Sequence, residues 1–213
     1  MSAGWIVWLL GRYADAYAHQ QYRALEQFFA WLSDEEEFSN PMAGMRAPKV
    51  TEKSVPYFTS EELSRMEKAC RGNSFRDRRN AAIIAVLKAT GVRLAELTGI
   101  RYHPDDPARS DLNLQAREIR VRGKGGRERA VPVTREAAYR LDRYLRARSR
   151  HALAYRQALW LGTGSRGPLT PSGIYQIVAG LGGRCGVPGY PHRFRHHFSH
   201  TWKVWTAAVR RAT

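Results

Sequence analysis

Apolar residues recur at Tyr22, Leu25, Phe28, Phe29 and Leu32, the three- and four-residue spacing of one helical face, and predict a helix within residues 13–32. The apolar run at 5–10 reads as part of a buried helix. It is too short to span a bilayer, which takes about 20 residues, and it lacks the basic flank of a signal peptide. A polar stretch interrupts after Leu32, and residues 41–57 carry three prolines and no periodicity, which predicts a linker. Thr59-Ser60-Glu61-Glu62 has the form of a capping box, with Leu63 and Met66 continuing an apolar face behind it. Residues 76–91 predict a second helix with Ile83, Ile84 and Leu87 inside and Gly91 as its stop. A short helix then turns Leu94, Leu97 and Ile100 inward.

Between 117 and 133 the period changes to two. Ile119 and Val121 alternate with charged residues, Ala130, Val131 and Val133 follow a turn, and Gly123-Lys124-Gly125-Gly126 forms the tip of a predicted β-hairpin. Residues 135–150 are helical again, and Thr170-Pro171 opens another helix, Thr as cap and Pro in the first turn. Pro191 starts a last helix whose expected core face is Phe194, Phe198, Trp202 and Trp205. The pattern as a whole predicts a mainly α fold with a small antiparallel β-sheet (α+β).

Charge narrows the class of partner. The 213 residues hold 35 Lys and Arg against 19 Asp and Glu, a net charge of +16. No acidic residue follows Asp142. Such a surface attracts polyanions, because every phosphate neutralised releases counterions. Nucleic acid is therefore the leading partner, with a generic basic surface as the alternative. Cys70 and Cys185 form no disulfide framework and no CxxC pair, which points to a reducing compartment.

Candidate chemistry concentrates in Gly-Tyr-Pro-His-Arg-Phe-Arg-His-His-Phe-Ser-His, residues 189–200. His192 and Arg195 lie three apart, on one helical face and in the first turn, where unpaired backbone N–H groups favour an anion. Arg93 follows Gly91 at the start of another helix and has the same advantage. With Lys124 on a hairpin tip, these residues have the makings of a phosphate site. Separately, a basic tip is most often a solvated turn and an Arg after a helix stop a surface residue. A metal site is the rival, since His192, His196 and His200 repeat at four-residue intervals. Against it, no HExxH pattern occurs, no Cys or carboxylate lies nearby, and Arg193 and Arg195 add positive charge.

The segments Thr-Gly-Val-Arg-Leu-Ala-Glu-Leu (90–97), Gly-Lys-Gly-Gly-Arg-Glu-Arg-Ala-Val-Pro-Val (123–133), Leu-Thr-Pro-Ser-Gly-Ile-Tyr-Gln-Ile-Val (169–178) and Pro-His-Arg-Phe-Arg-His-His-Phe (191–198) resemble, in order and spacing, the tyrosine recombinases of the phage integrase type. The resemblance covers about residues 58–200. It implies a catalytic domain over 58–213, the linker 41–57, and in residues 1–40 the end of a helical (SAM-like) core-binding domain. By motif position, Arg93 and Arg195 would hold the non-bridging oxygens of a scissile phosphate. Lys124 would protonate the leaving 5′-oxygen, His192 would hydrogen-bond the phosphate, and Glu96 would orient Arg93. Double-stranded DNA is the implied partner; no metal, other cofactor or membrane is implied. The setting would be a bacterial cytoplasm, with the protein nucleoid-associated.

The family's attacking group is a tyrosine hydroxyl beyond the HxxR motif. Residues 196–213 contain no Tyr, and all ten tyrosines precede the motif. The sequence departs from the family pattern near Trp202, as expected of a C-terminally truncated or frameshifted member. A site-specific recombinase or integrase that cannot complete catalysis is therefore the expected function. The alternatives are a non-catalytic DNA-binding remnant and, further off, a histidine-cluster metal-binding protein. Recombinases of this type pair as dimers and exchange C-terminal helices, so assembly of this polypeptide is doubtful. A fragment whose Phe198, Trp202 and Trp205 lack partners is the third expectation.

Overall fold

The computed structural model describes residues 4–36, 38–51 and 55–212, but not the side chains of Lys124, Val204, Trp205 or residues 207–212. The chain divides into two compact units, Met1–Ser54 and Val55–Thr213.

In the first unit, α1 (Gly4–Arg12) and α2 (Asp15–Glu35) are separate helices. The apolar run at 5–10 is helical as expected, but it is not buried. Only Leu9 is enclosed, while Val7, Trp8 and Leu10 face solvent. Of the predicted α2 stripe, Tyr22 is buried and Phe28 is exposed. Tyr22 owes its place to the following segment: its hydroxyl donates to the Met45 carbonyl at 2.7 Å. His19 Nδ1 lies 2.9 Å from the Pro48 carbonyl, and Met42 is buried. A unit this small has little core to offer its apolar residues.

The second unit begins with α3 (Ser60–Lys68) on the predicted capping box: Glu62 N–H donates to Thr59 Oγ1 at 3.2 Å, and Thr59 N–H donates to Glu62 Oε2 at 2.9 Å. Helix α4 (Phe75–Thr90) is the central strut, with Ala82, Ile83, Ile84, Val86 and Leu87 fully enclosed. Each enclosed Ile or Leu stabilises the fold by about 1.5–3 kcal/mol. Gly91 ends α4 in the left-handed region at φ +57°, a conformation that a side chain makes costly. The short α5 (Leu94–Thr98) follows at once, with Leu97 in the core.

A three-stranded antiparallel sheet comes next: β1 (Leu112–Asn113), β2 (Glu118–Arg122) and β3 (Glu128–Pro132), in that order. Ile119 is paired with Leu112 on one side and Val131 on the other. The hairpin matches the sequence pattern. Strand β1 does not appear in that pattern, because two residues are too few to show a period.

Helix α6 (Arg135–Arg148) packs along α4. Its last residue, Arg148, is buried and donates to the carbonyls of Ala154, Arg156, Ala158 and Leu159, which ties down the irregular stretch after the helix. Trp160, also buried, donates from Nε1 to the Leu97 carbonyl at 2.9 Å and so braces α5. Thr170 caps α7 (Pro171–Cys185), accepting from Gly173 N–H at 3.1 Å.

Helix α8 (Pro191–Ala212) closes the unit. Its expected core face is corrected in part. Phe194 is fully buried, but Phe198 is half-buried and Trp202 is 56% exposed; Trp205 lies outside the described side chains. Past Phe198 the face of α8 borders an open groove with Lys88, Ala89 and Ala137, and Trp202 lies on that groove. No described helix is long and apolar enough to cross a membrane.

Candidate active site

Three of the four expected phosphate-binding residues line one cavity of about 240 Å³: Arg93, His192 and Arg195. Each arrives for a local reason. Arg93 is the N-cap residue of α5, set there by the reversal at Gly91. Its side chain is 61% exposed and reaches toward solvent. His192 lies in the first turn of α8 and Arg195 at the start of the second; Pro191, whose fixed φ suits the first position, starts the helix. Arg195 Nη1 donates to the Gly91 carbonyl at 2.9 Å, so the end of α4 aims the second guanidinium.

The close approach of α8 to Gly91 depends on that glycine. A Cβ there would stand 3.0 Å from Phe198 Cβ and Cδ1. No carboxylate among the described residues lines the cavity. Its two arginines and the N-terminal end of a long helix favour an anion over a cation there.

Glu96 sits beneath this site, buried, and does more than the sequence suggested. Its Oε2 accepts from Arg93 N–H at 2.8 Å and its Oε1 from Arg93 Nη1 at 3.3 Å. A second arginine holds it more firmly: Arg129, on β3, donates from Nη1 and Nη2 to the two carboxylate oxygens at 2.9 and 3.0 Å. Burial pushes the Glu96 carboxyl up. The Arg129 fork, the Arg93 N–H and the two positive charges outweigh it and bring the pKa down to about 2. The pair also tethers the hairpin to α5.

Lys124 follows Gly123 at the hairpin tip. A Cβ on Gly123 would lie 3.6 Å from both Glu96 Oε1 and Arg129 Nη1, so the base of the tip is beside the Arg93 support. The Lys124 side chain is outside the described set. Gly125 and Gly126, at φ +74° and +73°, complete the turn.

Sequence reasoning missed three contributors. Arg129 is one of several charged residues in the hairpin, with nothing to single it out. Tyr175 and Tyr190 both line the cavity; one lies inside the segment 169–178 and the other just before Pro191, but nothing in the family pattern gives either a role. The histidine cluster resolves into separate tasks. His192 and His196 meet edge to face with ring centroids 4.3 Å apart, and His197 Nδ1 lies 3.0 Å from the Phe58 carbonyl. His200 stacks on Tyr57 at 3.9 Å. Among the described residues no group of three or more His, Cys, Asp or Glu is arranged to hold a metal ion. Arg193 is buried and pairs with Glu62 at 2.7 Å, which fastens the start of α8 to α3.

Residues 56–202 match the model of the phage integrase family. The chain belongs to that family. Its curated relatives include tyrosine recombinase XerC of Chromobacterium violaceum, 33% identical over 183 residues, and XerC of Actinobacillus succinogenes, 32% identical over 179. These alignments cover 81% and 83% of this chain but 56% and 57% of the relatives. This phage integrase family chain thus spans little more than half the length of those proteins. Among solved structures it resembles the XerA recombinase, at 25% identity and a TM-score of 0.58 over 91% of this chain and 63% of that one. A lambda integrase dimer bound to a COC′ core site gives 17% identity and a TM-score of 0.66 over 92% of this chain and 54% of that one, a likeness of fold.

Proposed function

We propose that this chain binds duplex DNA and clasps one backbone phosphodiester between Arg93, His192 and Arg195, for strand exchange of the site-specific recombinase type. The observation that carries the reading is the meeting of residues from α5 and α8, far apart in sequence, around one cavity lined by no carboxylate among the described residues. In this reading residues 58–213 are the catalytic domain, 41–57 its connection, and 1–40 the end of a core-binding domain.

The chemistry follows from the charges. The two guanidinium groups bind the non-bridging oxygens and stabilise the charge that builds up as phosphorus becomes five-coordinate. Glu96, ionised and tied to Arg129, holds Arg93 in place and is a positioning residue. His192 donates to a phosphate oxygen. Lys124, carried on the glycine turn, delivers a proton to the 5′-oxygen as it leaves, and the attacking group is a tyrosine hydroxyl. No tyrosine of the 213-residue polypeptide follows Tyr190. In this reading residues 1–213 bind DNA, and none of their ten tyrosines is assigned the attack.

Gel shift on duplex DNA tests the binding, and a nicked suicide substrate tests the attack. The expected result is a salt-sensitive shift, weakened at least tenfold in R93A and R195A. No shift at low salt, or full binding by both variants, overturns the reading. A covalent adduct would assign the attack to one of the ten tyrosines present.

A further inference from the structure

A second cavity, of about 390 Å³, lies against the first two turns of α7 and is lined by Arg79, Arg166, Thr163, Thr170 and Gln176, again with no carboxylate among the described residues. Residues Gly173, Gln176 and Ile177 face this cavity, whereas Tyr175 faces the Arg93–Arg195 cavity. At 100° per residue those two sets point to opposite sides of the helix. The two cavities therefore flank one helical segment, which with its side chains is about 10–12 Å across.

Arg79 makes the second cavity unusual. It is only 4% exposed, yet it has no ion pair among the described residues. Its hydrogen bonds go to two neutral acceptors: Nη1 donates to the Leu161 carbonyl at 3.0 Å, and Nε and Nη2 donate to Asn80 Oδ1 at 3.2 and 3.1 Å. Three of five guanidinium donors are used, the guanidinium lies 5.8 Å from the Phe75 ring centroid, and no described carboxylate is paired with its charge. Buried Arg148, likewise without an ion pair among the described residues, makes four such bonds, all to carbonyl oxygens.

Arg166 extends from a tight loop on the cavity rim. Gly162 N–H donates to the Gly167 carbonyl at 2.7 Å, and Gly164 and Gly167 take φ +64° and +79°. A Cβ on Gly162 would come within 2.8 Å of that carbonyl, so the two ends of the loop meet this closely only with glycine there. The N-terminal end of α7, a helix of 15 residues, adds its positive pole.

We propose that this cavity binds a second backbone phosphate of the same DNA, an inference that rests on the reading of the first cavity as a phosphodiester site. The width of α7 corresponds to about three base steps of 3.4 Å along one strand, so one duplex lying across the start of α7 supplies both phosphates. Arg79 provides fixed charge in the wall, Arg166 a movable fork, and Thr163 a hydroxyl donor.

The test is the salt dependence of binding of the full chain to a 30-base-pair duplex (about 100 Å at 3.4 Å per step), for wild type, R166A, R195A and the double variant. Arg166 is exposed on its loop, so R166A leaves the core untouched. The slope of log K against log salt is expected to fall by about one in each single variant and by about two in the double. Gln176→Glu, which puts a carboxylate in the second cavity, is expected to weaken binding further than R166A. An unchanged slope in R166A overturns the inference, as does a double variant no different from R195A, which would mean one shared phosphate. So does stabilisation of wild type, but not R166A, by inorganic phosphate with equal DNA slopes, which marks a free anion as the occupant. A wild type with no salt-dependent binding at all instead overturns the reading of the first cavity.

Discussion

Glu96 shows how one residue serves both stability and chemistry. Its carboxylate is buried, and such a group is tolerated only when it is fully paired. Here the pairing partners are the Arg129 fork and both the N–H and the guanidinium of Arg93. The carboxyl is held at about 2 against its ordinary 4.5. The unfolded chain takes up this proton near the ordinary value, whereas the folded chain takes it up only near 2. The pair's contribution is therefore complete above pH 4.5 and disappears as pH falls toward 2. Glu96→Gln is expected to lower stability by about 2–3 kcal/mol at pH 7. Urea denaturation at a series of pH values should show the gap to wild type closing across that acid window. A constant gap would mean the carboxylate charge is not what Arg129 and Arg93 depend on. The three-residue spacing from Arg93 made Glu96 visible in the sequence. The role of Arg129 was not visible, because any charged residue of an exposed strand gives the same pattern.

At the scale of elements, the site is made by a helix end, a helix start and a hairpin, and the Gly91 turn links the first two. Gly91 reverses the chain to present Arg93, offers its carbonyl to Arg195, and leaves room for Phe198. Gly91→Ala meets strain from the positive φ and from the 3.0 Å contact together. A loss of about 1–2 kcal/mol is expected in thermal or urea unfolding. Weaker DNA binding should accompany it as the carbonyl aiming Arg195 shifts. Unfolding and binding both equal to wild type would show that the turn has slack it does not appear to need. Most helix boundaries were legible from caps and stops: Thr59, Gly91, Thr170 and Pro191 each sit where their chemistry places them. The face of α8 was legible only as far as Phe194. Beyond it the same apolar spacing runs along a groove, and spacing alone does not tell a covered face from an open one.

Over the whole molecule, one buried cluster runs from Phe58 to Phe194 and includes residues of every long helix of the second unit. Residues 55–213 are accordingly expected to unfold in a single cooperative transition when expressed alone, with near- and far-ultraviolet circular dichroism coinciding. Two separated transitions would mean that α8 is not part of that core. The first unit is different in kind. Its helices show apolar spacing, but Trp8, Phe28 and Trp31 remain exposed, so the periodicity overstated its burial. The charge asymmetry acts at this scale too. A chain of net charge +16 with no acidic residue after Asp142 attracts polyanions at long range, before any single contact forms.

Periodicity, caps and glycine stops are short-range matters, so the sequence by itself determined the helices, the hairpin, the fold class and the family motifs. The composition likewise settled the sign of the surface. What only the tertiary structure decided are the meetings of distant segments: Arg129 on Glu96, Arg195 on the Gly91 carbonyl, two tyrosines in the cavity wall, and the buried charge of Arg79 facing a second cavity. Those depend on how elements pack in three dimensions. No local pattern encodes which of many arginines finds a carboxylate and which packs against neutral groups.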